Sequence, residues 1–270
     1  MNLKQIFKES IKSINKSIWI ILIPCIMDIL NLISYEKIFN TKYIPALNMI
    51  SFKMAIISAP PSVKHMIKNF PSPLLEYRNG AFLGIINELT LFNIFLFLTF
   101  ICLMSFIEAG YLGSINDIKN KSCSLRDFIY FGNKFWCRLF LLNLICYIPF
   151  LLGFIDEAFI WISILYMPFF YAEYVIVAEN ISLISGLKES INVLMNNLGL
   201  TIKMMFQCGV LYLPISCAVY ILSFSGDFGM GFSIFIVNYF GVCVNKTVFE
   251  VYKNLKKPEE VQGGHIDYYV

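Results

Sequence analysis

The residues of this chain with the most distinctive chemistry are a few polar side chains inside long apolar stretches. They are Asp28 and, three residues later on the same helical face, Asn31, followed by Glu108, Arg138 and Glu173. An ionisable group in the hydrocarbon core of a membrane is costly, so such residues are candidates for a proton, ion or substrate pathway. These five residues are the predicted intramembrane polar site.

Each of these residues also has a simpler interpretation. Near a helix end, a long side chain such as that of Glu108, Arg138 or Glu173 reaches the headgroup region. A Glu108–Arg138 ion pair is sterically allowed, because both residues are predicted at the same membrane boundary. Asp28 lies deeper, where it either bonds across helices or belongs to a polar pathway. A proton relay needs several carboxylates at mid-depth, and Asp28 alone clearly meets that condition.

The motifs of soluble enzymes are missing from the sequence. The eight cysteines form no CxxC pair, and the two histidines, His65 and His265, are too far apart for metal-ligand spacing. There is no phosphate-binding glycine loop and no GxSxG nucleophile motif. We therefore predict no catalytic residue, no metal and no cofactor. The net charge is only +3, and the basic residues flank the apolar stretches, so the predicted partner is membrane lipid and not nucleic acid.

The elements that must position the polar residues are six apolar stretches. Charged residues make up 14% of the chain and mean hydropathy is +0.69, whereas soluble domains contain about 25% charged residues. Each stretch has the roughly 20 residues that a spanning helix needs. The sequence thus predicts an all-α, polytopic transmembrane helix bundle in one domain, residues 1–250. Its six spans are predicted at 17–34, 89–112, 136–155, 158–178, 199–223 and 229–248.

The distribution of Lys and Arg predicts the orientation. Basic residues precede the first span, lie between the second and third and between the fourth and fifth, and follow the sixth, whereas the turns at 156–157 and 225–227 contain none. Short basic segments stay in the cytoplasm, so both termini, including a tail at 251–270, are predicted on the cytoplasmic side of the cell membrane. Residues 35–88 then form an extracytoplasmic loop, in which 43–58 is interfacial, re-entrant or a seventh span.

Three segments on the predicted cytoplasmic side have apolar residues three and four positions apart, which predicts amphipathic interfacial helices. Their apolar stripes are Leu3, Phe7, Ile11, Ile14 and Ile18; Leu125, Phe128, Ile129, Gly132 and Trp136; and Ile184, Leu187, Ile191, Leu194 and Leu198. The first and third share the letters KESI, at 8–11 and 188–191. The arrangement suggests three repeats of an interfacial helix followed by two spans.

The third amphipathic helix is the candidate docking site for a cytoplasmic or membrane protein partner. The residues proposed for docking are Leu187, Lys188, Ile191 and Leu194. The alternative is that the helix only anchors the chain, because such helices lie in the headgroup plane with their apolar face towards the lipid.

The stretch YAEYVIVAEN at 171–180, followed by GLKES at 186–190, resembles part of the membrane domain found in front of some bacterial glycerophosphodiester phosphodiesterases. The stretch EAGY at 108–111, followed by LRDF at 125–128, has the same style, and the resemblance spans residues 90–250. In that family the enzyme is a separate barrel with a histidine pair and metal-binding carboxylates, which have no counterpart in this chain. The resemblance therefore implies a stand-alone six-span membrane module.

The sequence favours a non-enzymatic multi-pass membrane protein that organises or assists a partner. The alternative is a permease subunit that works with a separate ATPase, because prolines interrupt four spans and kinked helices build transporter sites. These prolines are Pro24, Pro149, Pro168 and Pro214. A lipid-processing membrane enzyme is a third hypothesis, for which the sequence shows no catalytic set.

Overall fold

The computed structural model describes residues 2–46, 49–78, 81–118 and 122–256. The helices in these ranges are α1 (Leu3–Ile14), α2 (Leu22–Phe39), α3 (Leu91–Asp117), α4 (Leu125–Leu152), α5 (Ala172–Glu179), α6 (Leu183–Asn196), α7 (Leu198–Ser223) and α8 (Gly226–Lys256). Shorter 3-10 segments cover Asn15–Ile21, Val63–His65 and Glu157–Phe169. A small antiparallel hairpin pairs β1 (Glu76–Arg78) with β2 (Ala81–Leu83).

Within the described ranges, six helical stretches are long and apolar enough to cross a membrane, which confirms the predicted all-α bundle. Their bounds are Leu3–Phe39, Leu91–Asp117, Leu125–Leu152, Ala158–Glu179, Leu198–Ser223 and Gly226–Lys256. The chain is a multi-pass membrane protein. We call the end of the bundle that carries residues 40–90 the loop end, and the end where α8 finishes the tail end. That the tail end faces the cytoplasm stays a prediction.

Helices α3, α5 and α8 contact one another at the centre of the bundle. The Asn245 amide of α8 donates to the Tyr111 hydroxyl of α3 (3.1 Å), and its oxygen accepts from the Tyr174 hydroxyl of α5 (3.1 Å). All three side chains are buried. Polar groups inside a membrane must find partners within the protein, so this network holds the three helices together.

Two lysines of α8 bind the C-terminus of α3. Lys246 Nζ donates to the Ile115 carbonyl (2.9 Å), and Lys253 Nζ donates to the Asn116 carbonyl (3.1 Å). The last carbonyls of a helix lack intrahelical partners and carry partial negative charge, so cations stabilise them.

Helix α8 continues past the predicted start of the tail at residue 251. Val251 and Tyr252 are buried, so they extend the packed face of the helix. Residues 251–256 are therefore helical and part of the bundle, and the rest of the predicted tail, 257–270, lies outside the described residues.

The first predicted apolar stripe holds only as far as the end of α1. Leu3 and Ile14 are buried, but Ile18 is 55% exposed. Ser17 leaves helical geometry (φ −139°, ψ 52°), which changes the direction of the residues that follow. The Ser17 hydroxyl accepts the Cys123 N–H (2.9 Å), and this bond stabilises the break.

The second amphipathic segment is the start of α4 and not a separate helix. The predicted capping box of Ser124 and Asp127 begins it. Leu125 and Ile129 are exposed (64% and 48%), whereas Gly132 is in close contact with Phe106 of α3. The stripe is therefore exposed over the first turns of α4 and comes into contact with α3 at Gly132.

The four prolines of the apolar stretches differ in effect. Pro24, Pro149 and Pro214 lie inside α2, α4 and α7, which continue through them. The break occurs at Pro168, where the 3-10 helix ends at Phe169 before α5 begins at Ala172.

A serine of α6 satisfies the backbone at this break. The Ser190 hydroxyl donates to the Pro168 carbonyl (3.0 Å) and accepts the Tyr171 N–H (3.0 Å). A proline in a spanning helix leaves backbone groups unpaired, and neighbouring hydroxyls can replace the lost partners. Gly186, one turn earlier on α6, allows the close approach, because a Cβ there would lie 2.5 Å from Ile176.

The long loop returns into the bundle. Neither 43–46 nor 49–58 contains a helix, so the described part of 43–58 forms no seventh helical span; residues 47–48 lie outside the described ranges. Ile57 is buried, and a Cβ on Gly241 of α8 would lie 2.4 Å from Pro61. The loop therefore packs directly against the backbone of α8.

Candidate functional site

A cavity of about 680 Å³ lies between α2, α3, α4, α5 and the returning loop. This volume falls in the range of small-molecule sites, roughly 300–1,000 Å³. Its polar lining includes four of the five predicted site residues together with a lysine and a second asparagine: Asp28, Asn31, Lys64, Glu108, Asn143 and Glu173. Its apolar lining is dominated by Phe97, Phe100, Met104, Tyr147 and Phe150. Elements far apart in the sequence thus converge on one space.

The floor of the cavity is a pair of carboxyl groups. Glu108 of α3 and Glu173 of α5 face each other within hydrogen-bonding reach. Glu108 is only 6% exposed, and its Oε2 accepts from the Asn143 amide (2.6 Å), which also donates to the Ser105 hydroxyl (3.0 Å). Its Oε1 receives no N–H or O–H from the described part of the chain. A hydrogen bond between two carboxyl groups requires a proton on at least one of them, because a carboxylate offers no donor.

The cavity extends from this floor towards the loop end. Phe97 lies eleven residues before Glu108 on α3, which at 1.5 Å per residue is about 16 Å along the helix. Tyr147 and Phe150 follow Asn143 on α4 in the same direction. The site therefore has an acidic floor and aromatic walls nearer the loop end.

Asp28 holds the loop wall of the cavity. Its carboxylate accepts from the Ser62 hydroxyl (2.6 Å), the Val63 N–H (2.8 Å) and the Asn238 amide of α8 (2.8 Å), and it is 1% exposed. Hydrogen bonds to a carboxylate are among the stronger ones in proteins. Asp28 thus ties the returning loop to both α2 and α8.

Arg138 does not line the cavity, and it binds partners other than Glu108, with which the sequence allowed an ion pair. Arg138 Nη1 donates to the Asn180 side-chain oxygen (2.9 Å) and the Ile181 carbonyl (3.1 Å). Asn180 ends α5 in a left-handed conformation (φ 55°). A cation at a helix C-terminus is favourable, so Arg138 stabilises the end of α5.

The predicted docking residues of α6 divide between surface and core. Lys188 is exposed, Ile191 is 39% exposed, and Leu187 is half-buried. Leu194 is 6% exposed and packs in the core, so a partner cannot reach it. The face of α6 that packs against the bundle is centred on Ser190. It is therefore not the face that the predicted apolar stripe defines. The docking role itself stays a prediction.

The tail end carries an ion-pair cluster next to α6. Lys256 of α8 pairs with Glu179 of α5 (3.1 Å) and Glu189 of α6 (2.9 Å). The cluster joins the ends of α5 and α8 to the middle of α6. Two residues of the GLKES motif thus have structural roles. Glu189 belongs to this ion-pair cluster, and Ser190 binds the backbone groups at the Pro168 break.

The sequence did not identify the loop residues of the cavity. Lys64 and Ser72 form its rim, where Lys64 Nζ donates to the Ser72 hydroxyl (2.9 Å). The segment 58–62 lines one wall. Its two prolines indicate a segment that cannot continue a helix, but nothing in the pattern shows that it returns to the bundle.

Comparisons with known proteins add no relative: no family model matches the chain, and no curated protein or solved structure matches it. The resemblance to the membrane domain of the phosphodiesterases stays an expectation from the sequence.

Proposed function

We propose that this protein is a permease-type membrane protein that admits a small solute to the cavity from the loop end. The observation that carries the proposal is the paired carboxyl floor, Glu108 and Glu173, beneath aromatic walls inside a membrane bundle. Ligand sites are clefts or cavities of this size, and intramembrane carboxyl groups are costly. A large cavity with two such groups at its floor is expected of a binding site and not of a bundle that only fills space.

The broken fourth span supports the same function. Glu173 follows the break at Tyr171 by two residues, so the floor of the cavity lies beside a discontinuous helix. Discontinuous helices place solute-binding groups at mid-membrane in many transporters. They also provide a hinge where one helix segment can move relative to the other.

A cysteine-accessibility experiment tests solute access. Cys146 lines the cavity, whereas Cys243 is fully buried in α8. With every other cysteine replaced by alanine, we expect a charged, membrane-impermeant methanethiosulfonate reagent to label Cys146 from the side of the loop end. A matched chain that retains only Cys243 should stay unlabelled. Failure to label Cys146 from either side of sealed vesicles would contradict the proposal.

The second candidate function is a module that assists a protein partner through α6. Exposed Lys188 and Ile191 favour it, because they lie beside the ion-pair cluster that joins α6 to α5 and α8. We expect Lys188→Glu with Ile191→Asp to abolish co-purification of a stoichiometric ATPase in mild detergent. Lys203→Glu, at an exposed site on α7, is the control. Unchanged co-purification in the double variant would rule out docking at α6.

A further inference from the structure

We infer that the ligand of the cavity is a monovalent organic cation with apolar substituents, and that its binding releases the proton shared by Glu108 and Glu173. The inference rests on the proposed function and specifies the solute class for the same site. It depends on three features: the charge balance of the lining, the neutral groups around the floor and the aromatic walls.

The lining is acidic where a ligand can reach it. Three carboxyl groups face the cavity, those of Asp28, Glu108 and Glu173, against one lysine, Lys64. Asp28 already accepts three hydrogen bonds from the protein. Lys64 lies at the rim and donates to Ser72. The negative charge left for a ligand is therefore that of the glutamate pair.

The side chains around the pair do not neutralise it. Cys146 and Tyr147 of α4 and Tyr174 of α5 lie close enough to the pair to interact with it electrostatically. The Asn143 amide of α4 donates a hydrogen bond to Glu108. Tyr111, on α3 itself, also lies near Glu173. These hydroxyls, the thiol and the amide are uncharged when they carry their protons. Among the described residues, no Lys, Arg or His has an electrostatic interaction or a hydrogen bond with either glutamate. A cationic ligand would supply the missing positive charge.

The walls above the pair suit the rest of such a ligand. Phe97 and Phe100 of α3 and Tyr147 and Phe150 of α4 face the cavity. The face of an aromatic ring attracts a cation by about 0.5–2 kcal/mol, and the rings also remove apolar substituents from water. An inorganic cation would gain only the attraction of the ring faces, whereas a substituted ammonium or phosphonium would also bury its apolar substituents.

The exchange balances in charge and protons. Before binding, one proton lies between the two carboxyl groups and the pair carries one negative charge. When the cation binds, that proton leaves to water, both carboxylates are ionised, and the pair with its ligand again carries one negative charge. The carboxylic O–H bond is the one bond that breaks, and water takes up the proton in a new O–H bond.

The test uses tetraphenylphosphonium and tetraphenylborate, which have the same shape and opposite charge. Each is titrated calorimetrically into the full chain in detergent, in two buffers of different ionisation enthalpy. We expect tetraphenylphosphonium to bind with release of about one proton, and tetraphenylborate to bind at least roughly tenfold more weakly. Equal affinity for the two ions would overturn the inference, as would cation binding without proton release.

Variants locate the effect. Glu108→Gln and Glu173→Gln should each abolish the proton release and weaken cation binding at least roughly tenfold. Glu88→Gln removes an exposed carboxylate near the start of α3 that does not line the cavity, and it should change neither. Proton release that persists in both pair variants would refute the assignment. If Cys146 is labelled but tetraphenylphosphonium does not bind, the solute class is wrong and the proposed function stands. If Cys146 cannot be labelled, the proposed function itself fails.

Discussion

Asp28 and Glu108 are both almost fully buried and both line the same cavity, yet their surroundings are opposite. Asp28 accepts hydrogen bonds from three donors on two other segments. Among the described residues, Glu108 has an N–H donor for Oε2 only, and its carboxyl group lies within hydrogen-bonding reach of Glu173. Burial alone therefore does not identify a functional carboxyl group in a membrane protein. We expect the number of donors that the protein provides to distinguish a structural carboxyl group, such as that of Asp28, from one that binds a ligand.

The same contrast separates two sides of the bundle. Beside α8 the returning loop fills the space, and Asn245 and Gly241 pack directly against it. Beside α3 and α4 the space stays open as the cavity. Four substitutions or conditions can break or sharpen this contrast.

The largest effect is expected for Asp28→Ala. The change leaves the Ser62 hydroxyl, the Val63 N–H and the Asn238 amide buried without their acceptor. Each lost partner costs about 1–3 kcal/mol, so the melting temperature in detergent should fall by roughly 10 °C or more. Asp28→Asn keeps one acceptor oxygen and should cost less. An unchanged melting temperature for Asp28→Ala would contradict the anchor role.

Acid should weaken the packing of the returning loop through His65. Burial, assisted by the nearby positive charge of Lys53, lowers the pKa of His65 to about 4 from 6.5. The folded chain keeps this histidine neutral while the unfolded chain takes up a proton below pH 6.5. The contribution of His65 to the free energy of unfolding is therefore complete above pH 6.5. It decreases as the pH falls towards 4, by up to about 3 kcal/mol.

The measurement for His65 is the melting temperature from pH 7.5 to 4.5, compared with that of His65→Phe. Phenylalanine keeps the ring contact with Tyr212, whose centroid lies 5.0 Å away. The difference between the two chains should grow in favour of the variant on acidification. Parallel pH profiles would show that His65 is not buried against the bundle.

Gly241→Ala tests the packing of the loop against α8. The added Cβ would lie 2.4 Å from Pro61, so the loop must shift. Overpacking of this kind costs about 1–3 kcal/mol. Gly231→Ala on the same helix meets nothing within 4 Å and should stabilise the chain by up to about 1 kcal/mol. If Gly241→Ala and Gly231→Ala stabilised the chain equally, the loop would not pack against α8.

The smallest effect on stability is expected for Glu108→Gln. An amide can donate to the Glu173 carboxylate without any shared proton, so the change keeps the hydrogen bond between the two side chains. We expect the unfolding free energy to change by less than about 1 kcal/mol. Asp28→Asn is the same chemical change, so a loss as large as in that variant would remove the distinction between anchor and site.

The six spans could be predicted because their length and apolar composition are dictated by the bilayer. The polar site could be predicted as a set of residues for the same reason, since a costly group stands out in an apolar stretch. Its geometry could not. The sequence allowed a Glu108–Arg138 pair, but Arg138 instead binds Asn180 at the end of α5, 42 residues away in sequence.

The positions of the amphipathic faces also depended on tertiary contacts. Ile18 is exposed because the helix breaks at Ser17, and Leu194 is buried because α6 turns towards the Pro168 break. Neither break can be located from apolar spacing alone. The loop wall of the cavity depends on Asp28 binding residues 34 and 35 positions later, for which the local sequence has no signal.

The hydroxyl of Ser190 has a mechanical consequence. It joins α6 to the carbonyl of Pro168 and the N–H of Tyr171, two residues before Glu173. Glu189, its neighbour, is held by Lys256 at the tail end. The position of Glu173 is thus coupled to α6 through two hydrogen bonds and two residues of the chain. We expect a displacement of α6 along the bundle to move the Glu173 carboxyl group as well.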